Sequence, residues 1–343
     1  MKRDAQVMAA PVMALRKGQE LFPGVVSALT VALAAKFISE HYGAPVMLMA
    51  LLIGMAFTFL SEPDMQTARG IEFASKQLLR FGVALLGLGI TVQQIASAGI
   101  GVLVMTISGV LLTIGLGIVL SRALDGTSRF GLLAGGAVAI CGASAALAIS
   151  SVLPKDDPNL ERDTVFTVIA VTALSTIAMI LYPILAGYLG LPDELMGVFF
   201  GATIHDVAQV VGAGYSVSDV AGSTATFVKL LRVAMLVPVV IVLSVIFSDA
   251  SRGNGRRSLP IPFFVLGFAA LVLIGSTDLI PEDVTASLLD LSRWCLVTAI
   301  AALGMKTSLR KLGDVGGRAI AVVCLSTVLL ALFALTSIHL FLS

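Results

Sequence analysis

Long apolar segments alternate with short polar stretches along the chain, and this pattern predicts an all-α polytopic membrane protein. About eleven segments are near the roughly 20 residues that a helix needs to cross a bilayer. Residues 1–21 precede them without a continuous hydrophobic signal core, so they are interpreted as a short cytosolic lead-in. Residues 22–343 are expected to form a single transmembrane domain. The segments, numbered one to eleven, cover approximately 22–39, 45–60, 77–96, 98–120, 130–152, 164–188, 195–214, 222–248, 260–277, 289–305 and 319–341.

The composition agrees with a membrane protein and narrows its function. Hydrophobic residues make up 57% of the chain and charged residues 13%, whereas a soluble domain has about 25% charged residues. The formal net charge is +1, so no basic field points to a nucleic-acid partner. The three cysteines, Cys141, Cys295 and Cys324, lie in apolar segments, which favours buried small residues over a disulfide framework.

Lysine and arginine are unevenly shared between the two sides of the predicted membrane. If every segment crosses once, most of these residues fall on the side of the N-terminus, and the opposite side has only Lys155, Arg162 and Arg293. Basic loops mark the cytoplasmic side of membrane proteins. The N-terminus is therefore predicted to be cytoplasmic and the C-terminus to lie outside.

Two segments resemble each other in opposite predicted orientations. Residues 78–99 and 291–316 both contain an apolar helix that ends in a Leu-Gly motif, then a polar stub and a glycine. Oppositely oriented repeats are the construction of many secondary transporters. The sequence predicts inverted repeats, but it does not settle their register; a five-plus-five division with an extra first helix also fits eleven segments.

Segment five is rich in glycine and small hydroxyl residues, which favours a break in its helix. Gly135, Gly136 and Gly142 fall within a few turns, followed by Ser144. Irregular backbone at membrane depth is tolerated only inside protein or around a cavity. The amides that begin a second half-helix would form an anion site. The alternative is an unbroken helix whose small residues pack closely.

Segments seven and eight place ionisable side chains in apolar surroundings. His205, Asp206 and Gln209 have the i, i+3 and i, i+4 spacing that shares one helical face, with Thr203 nearby. Lys229 and Arg232 share a face of segment eight. Charges within the membrane cost about 2.5 kcal/mol or more on insertion scales.

Two cations against one acid leave a net positive charge that favours an anion ligand. Asp206 paired with Lys229 or Arg232 as a purely structural contact is the alternative. The unperturbed pKa of a histidine side chain suits proton coupling at position 205, although a neutral histidine bonded to a neighbouring helix explains it equally well. No metal-ligand cluster or cofactor motif is found in the sequence, so neither is expected.

The longest motifs resemble a known family over nearly the whole chain. GGAVAICGASAALAISSV, GATIHDVAQVVGAG, TATFVKLLRV and LSRWCLVTAIAALGMKTSL are similar to the sulfate exporter family of YeiH-like bacterial inner-membrane transporters. The resemblance extends to the fold of the bile-acid/sodium symporter and cation/proton antiporter group. It implies inverted repeats with discontinuous helices, a scaffold and a mobile core with elevator-type motion, and a location in the bacterial inner membrane with a periplasmic C-terminus.

The same resemblance implies that the broken-helix residues of segment five and the block containing His205, Asp206 and Gln209 form the transport core. The charge argument adds Lys229 and Arg232 as anion-binding residues and predicts proton coupling at His205 and Asp206. The expected partners are a small inorganic or organic anion, the lipid bilayer, and protons or sodium as the coupling ion. A homodimer is common on this scaffold, but the sequence carries no dimer signature. The predicted substrate-binding residues are Gly135, Gly136, Cys141, Gly142, Ala143, Ser144, Thr203, Gln209, Lys229 and Arg232.

The leading hypothesis is a secondary active transporter of sulfate, an organosulfonate or a related oxyanion. A sodium- or proton-coupled cation antiporter or organic-acid symporter on the same scaffold is the alternative, although one acid against two bases argues against a cation substrate. A passive channel and an intramembrane enzyme are further alternatives. An enzyme is not expected, because no nucleophile or second histidine is arranged with His205.

Overall fold

The computed structural model describes residues 2–90, 99–154, 156–247, 263–277, 279–307 and 317–342, with side chains from residue 19 onward apart from that of residue 341. Within these ranges the regular structure is helical. The α-helices in chain order are α1 (Lys2–Tyr42), α2 (Val46–Ala56), α3 (Ala68–Phe73), α4 (Leu79–Leu86), α5 (Gly99–Ala123), α6 (Ser128–Ala139), α7 (Ala143–Val152), α8 (Leu160–Tyr188), α9 (Asp193–Thr203), α10 (Val207–Tyr215), α11 (Asp219–Ala234), α12 (Leu236–Ile246), α13 (Phe263–Gly275), α14 (Glu282–Lys306) and α15 (Gly317–Phe341).

Six helices in the described part of the chain are long and apolar enough to cross a membrane, and shorter apolar helices, α2, α7 and α13, accompany them. The prediction of a multi-pass helical membrane protein is confirmed. The prediction that all eleven segments cross the membrane once is not confirmed, because segments five and seven fold back on themselves. The six helices lie within Gln19–Tyr42, Gly99–Ala123, Leu160–Tyr188, Asp219–Ile246, Glu282–Lys306 and Gly317–Leu340.

The chain divides into two compact units. Unit 1 comprises Met1–Leu85 and Glu282–Ser308, and unit 2 comprises Leu86–Pro281 and Leu309–Ser343. In unit 1, helices approach closely where glycines face each other, as at Gly24 and Gly70. Small residues allow such close backbone contact between membrane helices. In unit 2, α15 packs against α5, α6, α8 and α9.

Segment five is a helical hairpin formed by α6 and α7. Arg129 at the start of α6 has its Nη1 3.2 Å from Oδ1 of Asp156, which follows α7. One straight helix would separate these residues by about 40 Å. Gly136 of α6 also lies directly beside the side chain of Ile149 of α7. The predicted break is confirmed, but the segment returns to the end of the unit from which it came.

Segment seven is a second hairpin, formed by α9 and α10. A Cβ placed on Gly197 of α9 would lie 2.7 Å from the carbonyl oxygen of Ala221, and one placed on Gly214 of α10 would lie 3.0 Å from the same atom. A straight helix would separate the two glycines by about 25 Å. Both arms therefore pack beside α11, and the segment doubles back.

The two hairpins enter unit 2 from opposite ends. Helix α8, which has 29 residues and is about 43 Å long, joins the base of the first hairpin to the base of the second. Val171, near the middle of α8, has its Cγ2 3.6 Å from a Cβ placed on Gly142, at the tip of the first hairpin. The tips therefore meet near the middle of the unit.

The predicted inverted repeat lies partly outside the described residues. Its two segments include residues 91–98 and 308–316, and the basic loop around Arg252, Arg256 and Arg257 also lies outside, as does Lys155. The repeat and its register stay predictions.

Candidate functional site

The first hairpin turns at Ile140, Cys141 and Gly142, where the α6 helix ends. Gly142 has φ +63° and ψ −125°, a conformation that costs a residue with a Cβ considerably more than glycine. Its amide donates to the carbonyl of Ala137 at 2.8 Å, which closes the last turn of α6. Glycine therefore allows the chain to reverse within three residues.

The second hairpin turns at Ile204, His205 and Asp206 without a glycine. The backbone is extended at Ile204 (ψ 137°) and at Asp206 (ψ 147°), a region open to any residue. The expectation that His205, Asp206 and Gln209 share a continuous helical face is wrong. His205 and Asp206 lie in the break, and only Gln209 lies in a helix, α10.

The two turns contact each other and form what we call the tip junction, residues 140–142 and 204–206. A Cβ on Gly142 would lie 3.6 Å from Cβ of His205. Two helix C-termini, of α6 and α9, and two helix N-termini, of α7 and α10, converge there. The last carbonyls and first amides of a helix lack partners within the helix, so the junction needs other donors and acceptors.

Lys229 supplies donors for both hairpins. Its Nζ is fully buried and donates to the carbonyls of Ile140 at 2.7 Å, Ile204 at 3.0 Å, and His205. Three acceptors require three hydrogens, which only the charged ammonium has. The charge therefore lies against the negative C-terminal ends of α6 and α9, where a cation is stabilised.

Arg232, one turn further along α11, completes the same arrangement. Its guanidinium is 1% exposed and donates to four carbonyls, two from each hairpin. The planar fork of N–H groups can satisfy several acceptors at fixed angles. The predicted shared face of Lys229 and Arg232 is confirmed, and both side chains join the hairpins. The four bonds are Nε to Ala139 O (2.8 Å), Nη2 to Val138 O (2.7 Å), and Nη1 to Gly201 O and Ile204 O (both 3.0 Å).

The charges at the tip junction sum to a positive value. Two helix C-termini carry about −0.5 each and two N-termini about +0.5 each, so the four ends cancel. Lys229 and Arg232 contribute +2 and the half-buried Asp206 contributes −1, which leaves about +1. The positive charge is held in place by carbonyls, while the first amides of α7, at Ala143 and Ser144, begin beside the junction.

Three further polar residues hold the second hairpin, and the sequence predictions did not include them. Ser175 Oγ accepts from the amide of Asp206 at 3.0 Å, and Thr176 Oγ1 accepts from Nε2 of Gln209 at 3.4 Å. Thr327 of α15 bonds to Nε2 of His205 at 2.9 Å. Adjacent hydroxyl residues in apolar helices, as in Ser175-Thr176 and Ser326-Thr327, are the sequence signal that could have indicated them.

Some predicted substrate-binding residues lie outside the tip junction and make contacts within or between helices. Gly135 faces Gly117 of α5, where a Cβ would meet the neighbouring Cα at 3.1 Å. Gly136 accommodates the side chain of Ile149. The hydroxyl of Thr203 donates to the carbonyl of Phe199 in its own helix at 2.6 Å. These positions shape the hairpins, and their substrate contacts stay predictions.

Cys141, Ala143 and Ser144 do lie at or beside the tip junction. Cys141 is buried, Ala143 is half-buried, and Ser144 is exposed within the described structure. Among the described residues, three or more histidine, cysteine, aspartate or glutamate side chains are nowhere grouped to hold a metal.

These features define a class: a multi-pass helical membrane protein with two opposed hairpins whose tips meet at buried cations. Residues 23–323 match the family model described as "Conserved hypothetical protein 698", and the chain belongs to that family. It is similar to UPF0324 membrane proteins over most of its length. The kinship with sulfate exporters that the motifs suggested stays a prediction.

Three relatives illustrate this similarity. A UPF0324 membrane protein of Chlorobaculum tepidum is 54% identical over 335 residues, covering 97% of this chain and 92% of the relative. The UPF0324 membrane protein TauZ of Paracoccus pantotrophus is 50% identical over 325 residues, covering 94% and 96%. A UPF0324 membrane protein of Rhizobium meliloti is 50% identical over 320 residues, covering 92% of each chain.

Proposed function

We propose that this protein is a secondary active transporter of a small anion, and that the anion binds at the tip junction. The observation that carries the proposal is the meeting of two opposed hairpin tips at Lys229 and Arg232. The two hairpins enter unit 2 from opposite ends, and their tips meet near its middle. A ligand bound between the tips can therefore be released toward either side of the membrane from a single site.

The charge balance supports an anion over a cation. The junction carries a charge of about +1 once the helix ends are counted. Lys229 uses all three of its hydrogens on carbonyls, so it provides positive potential without touching the ligand. The first amides of α7 provide the direct contacts, because unpaired amides at a helix start bind oxyanions.

The mechanism we propose is of the elevator type, and the location of the site residues supports it. All residues of the tip junction, together with Lys229 and Arg232, belong to unit 2. In the proposed cycle unit 2 carries the anion across as one body while unit 1 stays in place. Alternating access by movement of one part against another is the common mode of secondary transporters.

The hairpins also strengthen the predicted orientation. Removing two crossings leaves both termini on their predicted sides and moves Arg162, at the start of α8, to the cytoplasmic side. The loop before Asp193 and Glu194 then lies outside. The basic residues now follow the positive-inside rule more closely than eleven crossings allow, which supports a cytoplasmic N-terminus and a periplasmic C-terminus in the bacterial inner membrane.

The substrate we propose is sulfate, an organosulfonate or a related oxyanion, with protons as the coupling ion. Thermal melting of the purified protein tests this choice. The ligands to compare are sulfate, sulfite, thiosulfate, sulfonates and small carboxylates, each with and without sodium. A ligand at 100 times its Kd should stabilise the folded state by about 2.7 kcal/mol. Flux of the stabilising anion into proteoliposomes then tests transport.

A matched pair of proline variants tests the location of the site. Ala143→Pro removes the first amide of α7 at a helix position where proline is tolerated, and it should abolish most of the anion stabilisation. Asp193→Pro makes the same change at the first position of α9, after Pro192, and should retain it. Undiminished stabilisation of Ala143→Pro contradicts the location. A melt that responds only to sodium or pH contradicts the anion function and favours the cation alternative.

A further inference from the structure

The imidazole of His205 is enclosed at the tip junction and contacts a helix that the transport hypothesis did not involve. Its ring is fully buried, and Nε2 lies 2.9 Å from Oγ1 of Thr327 on α15. The distance fits a hydrogen bond in either direction, so it does not by itself identify the donor.

A second contact of Thr327 decides which atom donates. The same hydroxyl oxygen lies 2.8 Å from the carbonyl oxygen of Val323. A hydroxyl has one hydrogen, and a carbonyl can only accept. The hydroxyl hydrogen of Thr327 therefore points to Val323, and Thr327 must accept from His205. Nε2 of His205 carries a hydrogen.

The other ring nitrogen of His205 makes no hydrogen bond of normal geometry. Nδ1 is buried, and the described residues provide no such bond to it. The carbonyl of Val138, which accepts from Nη2 of Arg232 at 2.7 Å, also interacts with the ring. In the neutral ring, only one nitrogen is protonated and the other is an acceptor. The charged groups nearest the ring are Arg232 and Lys229, with Asp206 beside it in the chain, and the hydrogens of both cations are directed at carbonyls.

We infer that Thr327 is a positioning residue that fixes His205 as the Nε2–H tautomer and leaves Nδ1 as the proton acceptor of the tip junction. The tautomer follows from the hydrogen-bond geometry alone. The role of Nδ1 in coupling rests on the proposed transport function. Sequence spacing gives no sign of this contact, because 122 positions separate the two residues.

Nitrogen-15 NMR of histidine-labelled protein tests the tautomer directly. The chain has three histidines, so His205→Gln assigns the signal by its loss. In the wild type, at a pH where the ring is neutral, we expect a protonated Nε2 and an unprotonated Nδ1. A wild-type spectrum with the hydrogen on Nδ1 overturns the inference.

Three variants on α15 separate positioning from mere packing. Thr327→Val keeps the shape but removes the acceptor, and it should shift the tautomer ratio toward Nδ1–H by about fivefold or more, the factor that corresponds to about 1 kcal/mol for an unsatisfied buried donor. Thr327→Ser should restore the wild-type ratio. Ser326→Ala is the matched control, because Ser326 is buried beside Thr327 without a hydrogen-bond partner among the described residues, and it should leave the spectrum unchanged. An unchanged ratio in Thr327→Val overturns the positioning role.

The pH dependence of anion flux tests the coupling role in the same variants. Thr327→Val should displace the pH profile of flux, Thr327→Ser should restore it, and Ser326→Ala should match the wild type. A profile that is identical in all variants overturns the coupling role of Nδ1. If no anion is transported, the proposed function fails, and the NMR spectra still decide the tautomer.

Discussion

The two hairpins of unit 2 perform the same reversal by different means. The first turns at Ile140–Gly142, where glycine takes φ +63°. The second turns at Ile204–Asp206 with ordinary extended backbone and no residue at positive φ. One tip depends on backbone freedom, while the other carries a histidine and an aspartate.

The two tips therefore contribute different things to the tip junction: the first contributes backbone groups, and the second contributes ionisable side chains. The first tip provides backbone carbonyls and amides and the Cys141 thiol. The nearest hydroxyl side chain in the sequence, that of Ser144, belongs to the following helix, α7. The second tip brings the ionisable groups, and three hydroxyls on α8 and α15 hold it. We therefore expect substitutions in the first tip to disturb folding and those at His205 to disturb transport.

The substitution with the largest expected effect removes the Arg232 side chain, which bonds to both hairpins. Arg232→Met removes a donor from four buried carbonyls, of which that of Ile204 keeps its bond to Lys229. Each unsatisfied buried group costs about 1–3 kcal/mol. We expect a loss of about 3 kcal/mol or more, seen as low yield and a strongly lowered melting temperature. Arg162→Met, which removes an exposed arginine paired with Asp163 at 3.1 Å, is the control and should change stability by less than about 1 kcal/mol.

The Lys229→Met, Arg232→Met double variant tests the junction more severely. If it folds, binds anions and transports them like the wild type, the cations neither hold the hairpins nor provide the positive potential, and both assignments are wrong.

The next effect concerns the first tip alone. Gly142→Ala has room for its Cβ, with the nearest atom 3.6 Å away, but the backbone at φ +63° becomes strained by about 1–3 kcal/mol. We expect a lower melting temperature. Gly115→Ala, in α5 with open space around the new Cβ, should be neutral or stabilising. Equal melting temperatures for the two variants would mean that the first tip does not depend on glycine.

A smaller effect concerns the second tip. Ser175→Ala removes the acceptor of the Asp206 amide, and it should lower the free energy of unfolding by about 1 kcal/mol. Ser108→Ala, whose hydroxyl bonds only to carbonyls of its own helix in the described structure, is the matched control and should stay within about 0.5 kcal/mol. Denaturant titration in detergent would measure both, and identical midpoints would argue against a role for Ser175.

The smallest expected effect on stability concerns Glu72, which lies in unit 1 outside both hairpins. Its ion pairs are partly exposed, unlike the buried cations of the tip junction. Burial raises the pKa of Glu72, but hydrogen bonds and charges from Lys306 and Lys76 outweigh it and lower the pKa below its usual 4.5. Stability from this carboxylate is present above pH 4.5 and is lost as the pH falls through the folded-state pKa.

Melting temperatures measured against pH check this sign. The difference between wild type and Glu72→Gln should be largest near neutral pH and shrink below pH 4.5. Because Glu72 is partly exposed, the difference should stay below about 1 kcal/mol. A difference that does not change with pH would contradict the assignment.

Much of the fold follows from the apolar pattern, and part of the site follows from residue type. The break in segment five was predicted from its glycines, and Lys229 and Arg232 were predicted to share a face; both are confirmed. The roles of Thr327, Ser175 and Thr176 were not predicted, because a hydroxyl in an apolar helix usually bonds to its own backbone. Only packing identifies the hydroxyls that bond to a neighbouring helix.

The sequence by itself determined that the chain spans a membrane as helices, and that ionisable side chains lie within it at 205–206, 229 and 232. The tertiary structure alone decided that segments five and seven reverse instead of crossing, because hydropathy records how apolar a segment is and not its direction. It also decided what the cations hold. Their partners are backbone carbonyls, which every residue has, so no side-chain pattern along the chain could reveal them.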